Sequence, residues 1–266
     1  TAGFIRPKLW QCKTDTTRVA SSSPNIQQVP KDGRKIIGNL PGYMIVSADY
    51  SQIEIRVAAM LAQDEVLLAA LDKEDIHREN AALMYHKSPE TVFDYERRAA
   101  KAASFALLFD GSAKTIYTSS LVRGGSLTME ECKDLEYRFF NTFKGLAQMR
   151  TKAHAMAHRP GPVFLRLHNG IRRMLVGSDK RASKIINTLV QGNAAVGLKY
   201  GMLEADRRGL SKYLALQVHD ELVACVPEAE AEDYAKELAD AMVVGMKQVL
   251  VNVPVTVDYD INSYWR

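Results

Sequence analysis

Helical patterning fills the middle of this chain, and the short apolar runs that suit buried strands lie only on either side of it. From about 64 to 160 the pattern is mostly helical, most clearly in DYERRAAKAASFALLF at 94–109, rich in alanine and acidic at its start. Before that region, 43–49 is short, apolar and bounded by Pro-Gly. After it, LALQVHDELVACV at 214–226 reads as two apolar strands around a polar tip, and VPVTVDYDI reads as a final strand. Strands at both ends and helices between them predict an α+β fold, a sheet domain carrying a helical insertion.

The remaining elements follow from local signals. Residues 4–18 read as irregular strands, and SSSPNIQQVPKDG reads as a loop rich in Ser, Pro and Asn. Ser51 and Glu54 stand in the S-x-x-E pattern of a capping box, which predicts a helix starting at Gln52. RPGP at 159–162 breaks the helical run. VFLRLHNGIRRMLVG reads as a hairpin about Asn169-Gly170, and 180–208 as a long helix. PEAEAEDYAKELADAMVVGMKQVL is an amphipathic helix opened by acids.

With 266 residues, 47% hydrophobic and 25% charged, the chain has the composition of an ordinary globular protein and can bury a substantial core. No apolar run approaches the ~20 residues that span a bilayer. Cys12, Cys132 and Cys225 lie far apart without CxxC or Cys/His pairing, which argues against a disulfide framework or zinc site and for a reducing compartment. A net charge of +4 is compatible with a polyanionic partner without requiring one.

Three constellations carry chemistry. Asp49 ends an apolar strand, and Asp220 tips a hairpin plausibly in the same sheet. His219-Asp220-Glu221 is poor turn chemistry, although a solvated turn would also accommodate it. Two converging carboxylates repel unless a cation lies between them, and magnesium favours such oxygen ligands when phosphates supply the rest. Two such ions can drive phosphoryl transfer. Glu54 has a competing explanation as the N3 residue of its capping box. Secondly, Arg97, Lys101, Phe105 and Phe109 fall four residues apart, cations first and aromatics after. That stripe suits a triphosphate followed by a sugar or base; a solvated cationic face over core phenylalanines fits it too. Thirdly, Asn187 and Gln191 sit one turn apart amid apolar neighbours, needing either a nucleic-acid edge or a buried protein network to pair with. His77, in KEDIHREN, reads by itself as structural.

Taken together, these segments resemble the polymerase domain of family A DNA polymerases, the bacterial DNA polymerase I group with its phage and organellar relatives. DYSQIE at 49–54 and VHDE at 218–221 resemble the family's two acidic motifs, and RRAAKAASF at 97–105 its fingers-helix motif. TTRVASSSPNIQQVP, KEDIHR, NTLVQG and NSYW are supporting matches in the family's order across nearly the whole chain.

The resemblance implies an antiparallel-sheet palm at 1–62 and 160–266, with a mostly helical fingers subdomain inserted at 63–159. Thumb and exonuclease domains are expected to be absent, and a separate polypeptide could supply them. It further implies a DNA polymerase using two Mg2+ ions, with Mn2+ as an alternative. Its partners would be primer-template DNA and dNTP, in the cytoplasm of a bacterial or phage-infected cell or in an organellar matrix, with no membrane partner. Asp49 and Asp220 would bind the metals and Glu221 would assist near the primer end. Arg97, Lys101 and His77 would hold the triphosphate, with Lys101 donating a proton to pyrophosphate. Phe105 would stack on the sugar, with Phe109 and Gln52 beside the nucleotide, and Glu54 would exclude a ribose 2′-hydroxyl. Arg18, Asn25, Gln27, Asn187, Gln191 and His219 would contact DNA.

The chain departs from the family after Phe105. Where the family has Gly-x-x-Tyr-Gly, it has Ala106-Leu107-Leu108-Phe109-Asp110, which loses a tyrosine hydroxyl and places a negative charge near the expected template base. Ser183 replaces a family arginine, with Arg181 and Lys184 nearby, and a basic loop after Pro30 is shortened, leaving Lys31. A single-subunit RNA polymerase and a catalytically idle nucleic-acid-binding subunit are the alternative functions. The carboxylate at Glu54 argues against the first, and retention of Asp49, Asp220 and Glu221 against the second.

Overall fold

The structure, a computed structural model, describes residues 3–11, 13–122 and 124–266. Cys12 lies outside them. In chain order the elements begin with β1 (Lys8–Trp10), β2 (Ala20–Ser22), α1 (Lys31–Arg34), β3 (Tyr43–Tyr50), α2 (Ile53–Ala62), α3 (Glu65–Ala70), α4 (Ile76–Tyr85) and α5 (Asp94–Leu108). They continue with α6 (Ala113–Val122), α7 (Met129–Thr142), α8 (Lys144–His158), β4 (Val163–Arg166), β5 (Arg172–Leu175) and α9 (Ala182–Arg207). The last are β6 (Leu214–Val218), β7 (Glu221–Pro227), α10 (Ala231–Lys247) and β8 (Val257–Asn262). Among the described residues, no helix is long and apolar enough to cross a membrane.

The chain divides into two units. The first comprises 1–53, 167–169 and 191–266; the second comprises 54–166 and 170–190. The first holds a four-stranded antiparallel sheet in the order β6-β7-β3-β8, the α+β architecture that the strand-helix-strand pattern predicts. Side chains alternate between its faces. Val46, Ala48 and Tyr50 of β3 point into the core, each buried. The Tyr50 hydroxyl donates to the Met242 carbonyl of α10 at 2.6 Å, satisfying a polar atom that would otherwise be orphaned there. α9 and α10 approach at glycines: a Cβ on Gly245 would collide with the backbone of Gly201 and Tyr200. On the opposite face, Ile45, Val223 and Val218 join Ile26 and Trp265 in a second apolar cluster. Burying a large side chain there stabilises by about 1.5–3 kcal/mol.

The second unit is helical apart from the β4-β5 hairpin, whose connection carries Gly170 at φ +85°, as Asn-Gly predicts. Its helices start at named caps. Asp64 accepts from the Leu67 amide at 3.0 Å and also from Leu146 at 3.1 Å, joining the starts of α3 and α8 through one buried carboxylate. Thr128 and Glu131 form a reciprocal capping box for α7. In α5, Glu96 reaches back to the Phe93 amide at 3.0 Å and pairs with Lys87 at 2.6 Å. Ala99, Ala103 and Leu107 are buried one turn apart along α5, and the small alanines let α4 pack close.

Two local expectations need correction. Ser21 and Ser22 are not loop but end a strand, Ala20–Ser22, paired with β1, because tertiary pairing overrides the turn propensity of its serines. The helix after Asp49 starts at Ile53 rather than Gln52, which adopts a left-handed φ of +55°, and the Ser51 hydroxyl donates to the Asp258 carboxylate.

Candidate active site

Strand register explains why acids gather on the first unit's sheet. Asp49 lies directly opposite Glu221 on β7 and opposite Asp258 on β8, while Ser47 lies opposite Asp260. Directly opposed residues share a face, so one surface collects all four acids. Asp220 joins them from the two-residue turn between β6 and β7, its carbonyl accepting the Tyr50 amide at 3.4 Å. The five carboxylates line a recess of about 230 Å3 together with Lys31 and Arg34. The sequence thus brings Asp49 and Asp220 to one spot. Asp258 and Asp260 were missed, although the alternation in VDYDI already puts both on one face of a strand.

This arrangement is electrostatically unfavourable without a counterion. The Asp49 pKa is pushed up to about 7 by burial of its carboxyl group in the recess and by the charges of Asp220, Glu221 and Asp258, with Lys31 opposing. The residue as a whole remains exposed, so a small ion can reach it. The donor set is all oxygen, which fits a hard divalent cation. Among the described residues, no group of three or more His, Cys, Asp or Glu side chains is arranged to hold a metal ion. An open pair of aspartates is what Mg2+ needs when waters and phosphates complete its shell.

Around the recess, Glu221 is anchored. It accepts from the buried Trp265 indole at 2.8 Å and from Arg34 at 3.2 Å. His219 is exposed in the left-handed region, φ +55°, and its carbonyl accepts from Gln217 at 2.7 Å. Gln27 is engaged by the protein: its amide donates to the carbonyls of Val19 and Gln217, both at 3.1 Å. Asn25 is exposed and accepts from the Ser21 hydroxyl at 2.8 Å. Arg18 and Gln191 are half-buried.

The second unit holds the other predicted group. Arg97 is gripped by Asp75 through two hydrogen bonds, 2.7 and 3.2 Å. Burial alone would raise the Asp75 pKa, but hydrogen bonds from Arg97 and Arg78 outweigh it and lower the value. Asp75 also caps α4 by accepting from the His77 and Arg78 amides at 3.1 Å each, so it fixes helix and arginine together. Sequence reasoning passed over Asp75 because its partner lies 22 residues away. His77 is buried, its ring nitrogens lack hydrogen-bond partners among the described residues, and its ring centroid lies 5.9 Å from that of Phe105. Burial, with Lys101 and Arg97, lowers its pKa to about 4, so the ring is neutral near pH 7.

The expected four-residue stripe is shorter than predicted. Arg97, Lys101 and Phe105 share α5, but Phe109 follows its last residue, and Asp110 turns to φ +67°. Phe105 and Phe109 are both half-buried. The Asp110 charge is taken up by Arg150 at 3.0 Å and His154 at 2.7 Å. Glu54 is half-buried in the first turn of α2. Asn187 lies on α9 with a buried side-chain oxygen that finds no partner among the described residues.

A sequence model of DNA polymerase family A matches residues 1–266. The chain belongs to DNA polymerase family A. It is 33% identical to DNA polymerase I of Geobacillus stearothermophilus, over 99% of this chain and 31% of that protein. It is 32% identical to DNA polymerase I of Aquifex aeolicus, over 99% and 46% respectively. Among solved structures it is similar to the POL domain of Pol1 from M. smegmatis, in complex with DNA primer-template and dNTP. That match has a TM-score of 0.83 and 27% identity, covering 99% of this chain and 48% of that one. The family A chain described here therefore spans about a third to a half of the length of these relatives.

Proposed function

We propose that this family A chain catalyses template-directed transfer of a deoxynucleotide from a dNTP to a primer 3′-hydroxyl, releasing pyrophosphate. The observation that carries the reading is the meeting of Asp49 and Asp220 in one acid-lined recess within a chain that matches the family from end to end. In this reading 1–62 and 160–266 form the palm and 63–159 the fingers, and the partners are primer-template DNA and dNTP, with other domains from a further polypeptide or segment.

Asp49 and Asp220 would hold two Mg2+ ions, with Mn2+ as a substitute; such ions lower the pKa of the attacking hydroxyl and neutralise charge on the phosphates. Arg97, kept in place by Asp75, and Lys101 would bind the triphosphate oxygens, Lys101 then protonating the departing pyrophosphate. Neutral His77 would donate a hydrogen bond to the same phosphates without adding a charge. Phe105 would stack on the sugar, Phe109 and Gln52 would contact the nucleotide, and Glu54 would obstruct a 2′-hydroxyl. His219, Arg18, Asn25, Gln27, Asn187 and Gln191 would face the DNA, Gln27 chiefly by bracing the strand that leads into the His219 turn. Such positioning supplies most of the rate in phosphoryl transfer.

Primer extension with Mg2+ and dNTP tests this. Asp220→Asn is expected to lower turnover by about 10²–10³-fold, the order of one lost electrostatic stabiliser; parental activity in that variant would defeat the reading. Glu54→Ala is expected to raise ribonucleotide incorporation relative to deoxynucleotide, measured as a ratio of kcat/KM. An unchanged ratio would remove the gate assignment alone.

A further inference from the structure

Glu221 lies on the acid-lined face directly opposite Asp49, yet each of its oxygens already accepts a hydrogen bond from a neighbouring side chain. One accepts the Trp265 indole N–H at 2.8 Å, the other the Arg34 guanidinium at 3.2 Å. The two donors support each other, because Arg34 lies over the Trp265 ring at 4.1 Å and its Nη1 also donates to the Arg266 carbonyl at 2.9 Å. Trp265 is 0% exposed, and its amide donates to the Ile37 carbonyl at 2.9 Å. The indole therefore cannot follow Glu221 if that side chain swings toward a cation. Any such movement would orphan a fully buried N–H and an almost buried guanidinium.

We propose that Trp265 and Arg34 are positioning residues that pin the Glu221 carboxylate at the rim of the recess, holding it back from cations bound by Asp49 and Asp220. The catalytic consequence rests on the polymerase reading; the clamp itself does not. A third carboxylate free to coordinate would bind the ion more tightly and compete with phosphate oxygens for its open positions. Holding Glu221 back keeps those positions for the nucleotide while its charge still faces the recess.

The test is a double-mutant cycle on divalent-cation binding, measured by titration calorimetry of the whole chain with Mn2+ at pH 8, where Asp49 is ionised. Trp265→Phe keeps the ring but removes the N–H, and is expected to tighten Mn2+ binding several-fold. In a Glu221→Gln background the same change is expected to do nothing, since position 221 then has no carboxylate to release. Arg34→Lys, which keeps the charge but loses the planar fork, should shift binding in the same direction by less and stands in if Trp265→Phe does not fold. Equal tightening in both backgrounds, weaker binding, or no change would overturn the proposal. In primer extension, Trp265→Phe is expected to lower kcat while reducing the Mg2+ concentration for half-maximal rate; a merely structural role would not produce that opposed pair. A parent chain without extension activity would refute the polymerase reading, and the Mn2+ cycle would still decide the clamp.

Discussion

Asp49 and His77 are perturbed in opposite directions, and the difference reports what each site lacks. The Asp49 carboxyl group is largely buried and has other carboxylates around it, so its pKa rises from 3.8 to about 7. His77 is buried beside Lys101 and Arg97, so its pKa falls from 6.5 to about 4. Between pH 3.8 and 7 the folded chain binds more protons at Asp49 than the unfolded chain, so that contribution to stability is lost as pH rises. Between pH 4 and 6.5 the unfolded chain binds more protons at His77, so that contribution is lost as pH falls. The two slopes oppose each other from pH 4 to 6.5. Chemical denaturation across that window is therefore expected to show stability rising with pH in Asp49→Asn and falling in His77→Gln, each steeper than the parent. Parallel profiles for parent and Asp49→Asn would mean that the recess does not hold the proton. Adding Mg2+ should stabilise the parent more at pH 8 than at pH 6, because below about pH 7 the ion competes with a proton.

At the scale of elements, α5 shows what a linear sequence reveals and what it conceals. Its extent, its acidic start and its buried alanines are periodic signals and were legible, as were the β6-β7 and β4-β5 hairpins and the length of α9. The contacts that fix its end were not. The helix stops because Asp110 adopts a left-handed φ and is anchored by Arg150 and His154, partners 40 and 44 residues away. The pairing of Arg97 with Asp75 escaped notice for the same reason, and Trp265 and Glu221 are 44 residues apart. Pairing across such distances leaves no local pattern. The Asp110 side chain is only 11% exposed, so its charge depends on the Arg150 guanidinium. Arg150→Ala is expected to destabilise the chain by about 1–3 kcal/mol, mostly from the carboxylate left under-compensated. Asp110→Gly should restore much of that loss in the same chain, since glycine accepts the positive φ without strain and removes the stranded charge. If the double variant is as unstable as the sum of the two single ones, the pairing does not account for the cost.

For the whole molecule, sign and placement of charge matter more than the total. The chain carries a formal +4, yet its recess sets five carboxylates against Lys31, Arg34 and Arg266. A polyanion approaching that surface meets like charge within a Debye length of about 8–10 Å unless divalent ions intervene. The sequence disclosed this in part, because Asp49, Asp220 and Glu221 stand in motifs while Asp258 and Asp260 join them only through the register of β8 on β3. If the recess faces the primer terminus, replacing Asp49 and Asp220 together by asparagine should tighten binding of primer-template DNA when EDTA removes divalent ions, by removing two repulsive charges. With Mg2+ present the advantage should vanish or reverse, since the parent then holds cations that the variant cannot. Fluorescence anisotropy at a fixed monovalent salt concentration measures both conditions, and fixing salt is essential because phosphate contacts alone change affinity steeply with it. Equal affinity of parent and variant in EDTA would place the DNA away from the recess, and with it the catalytic assignment would have to move.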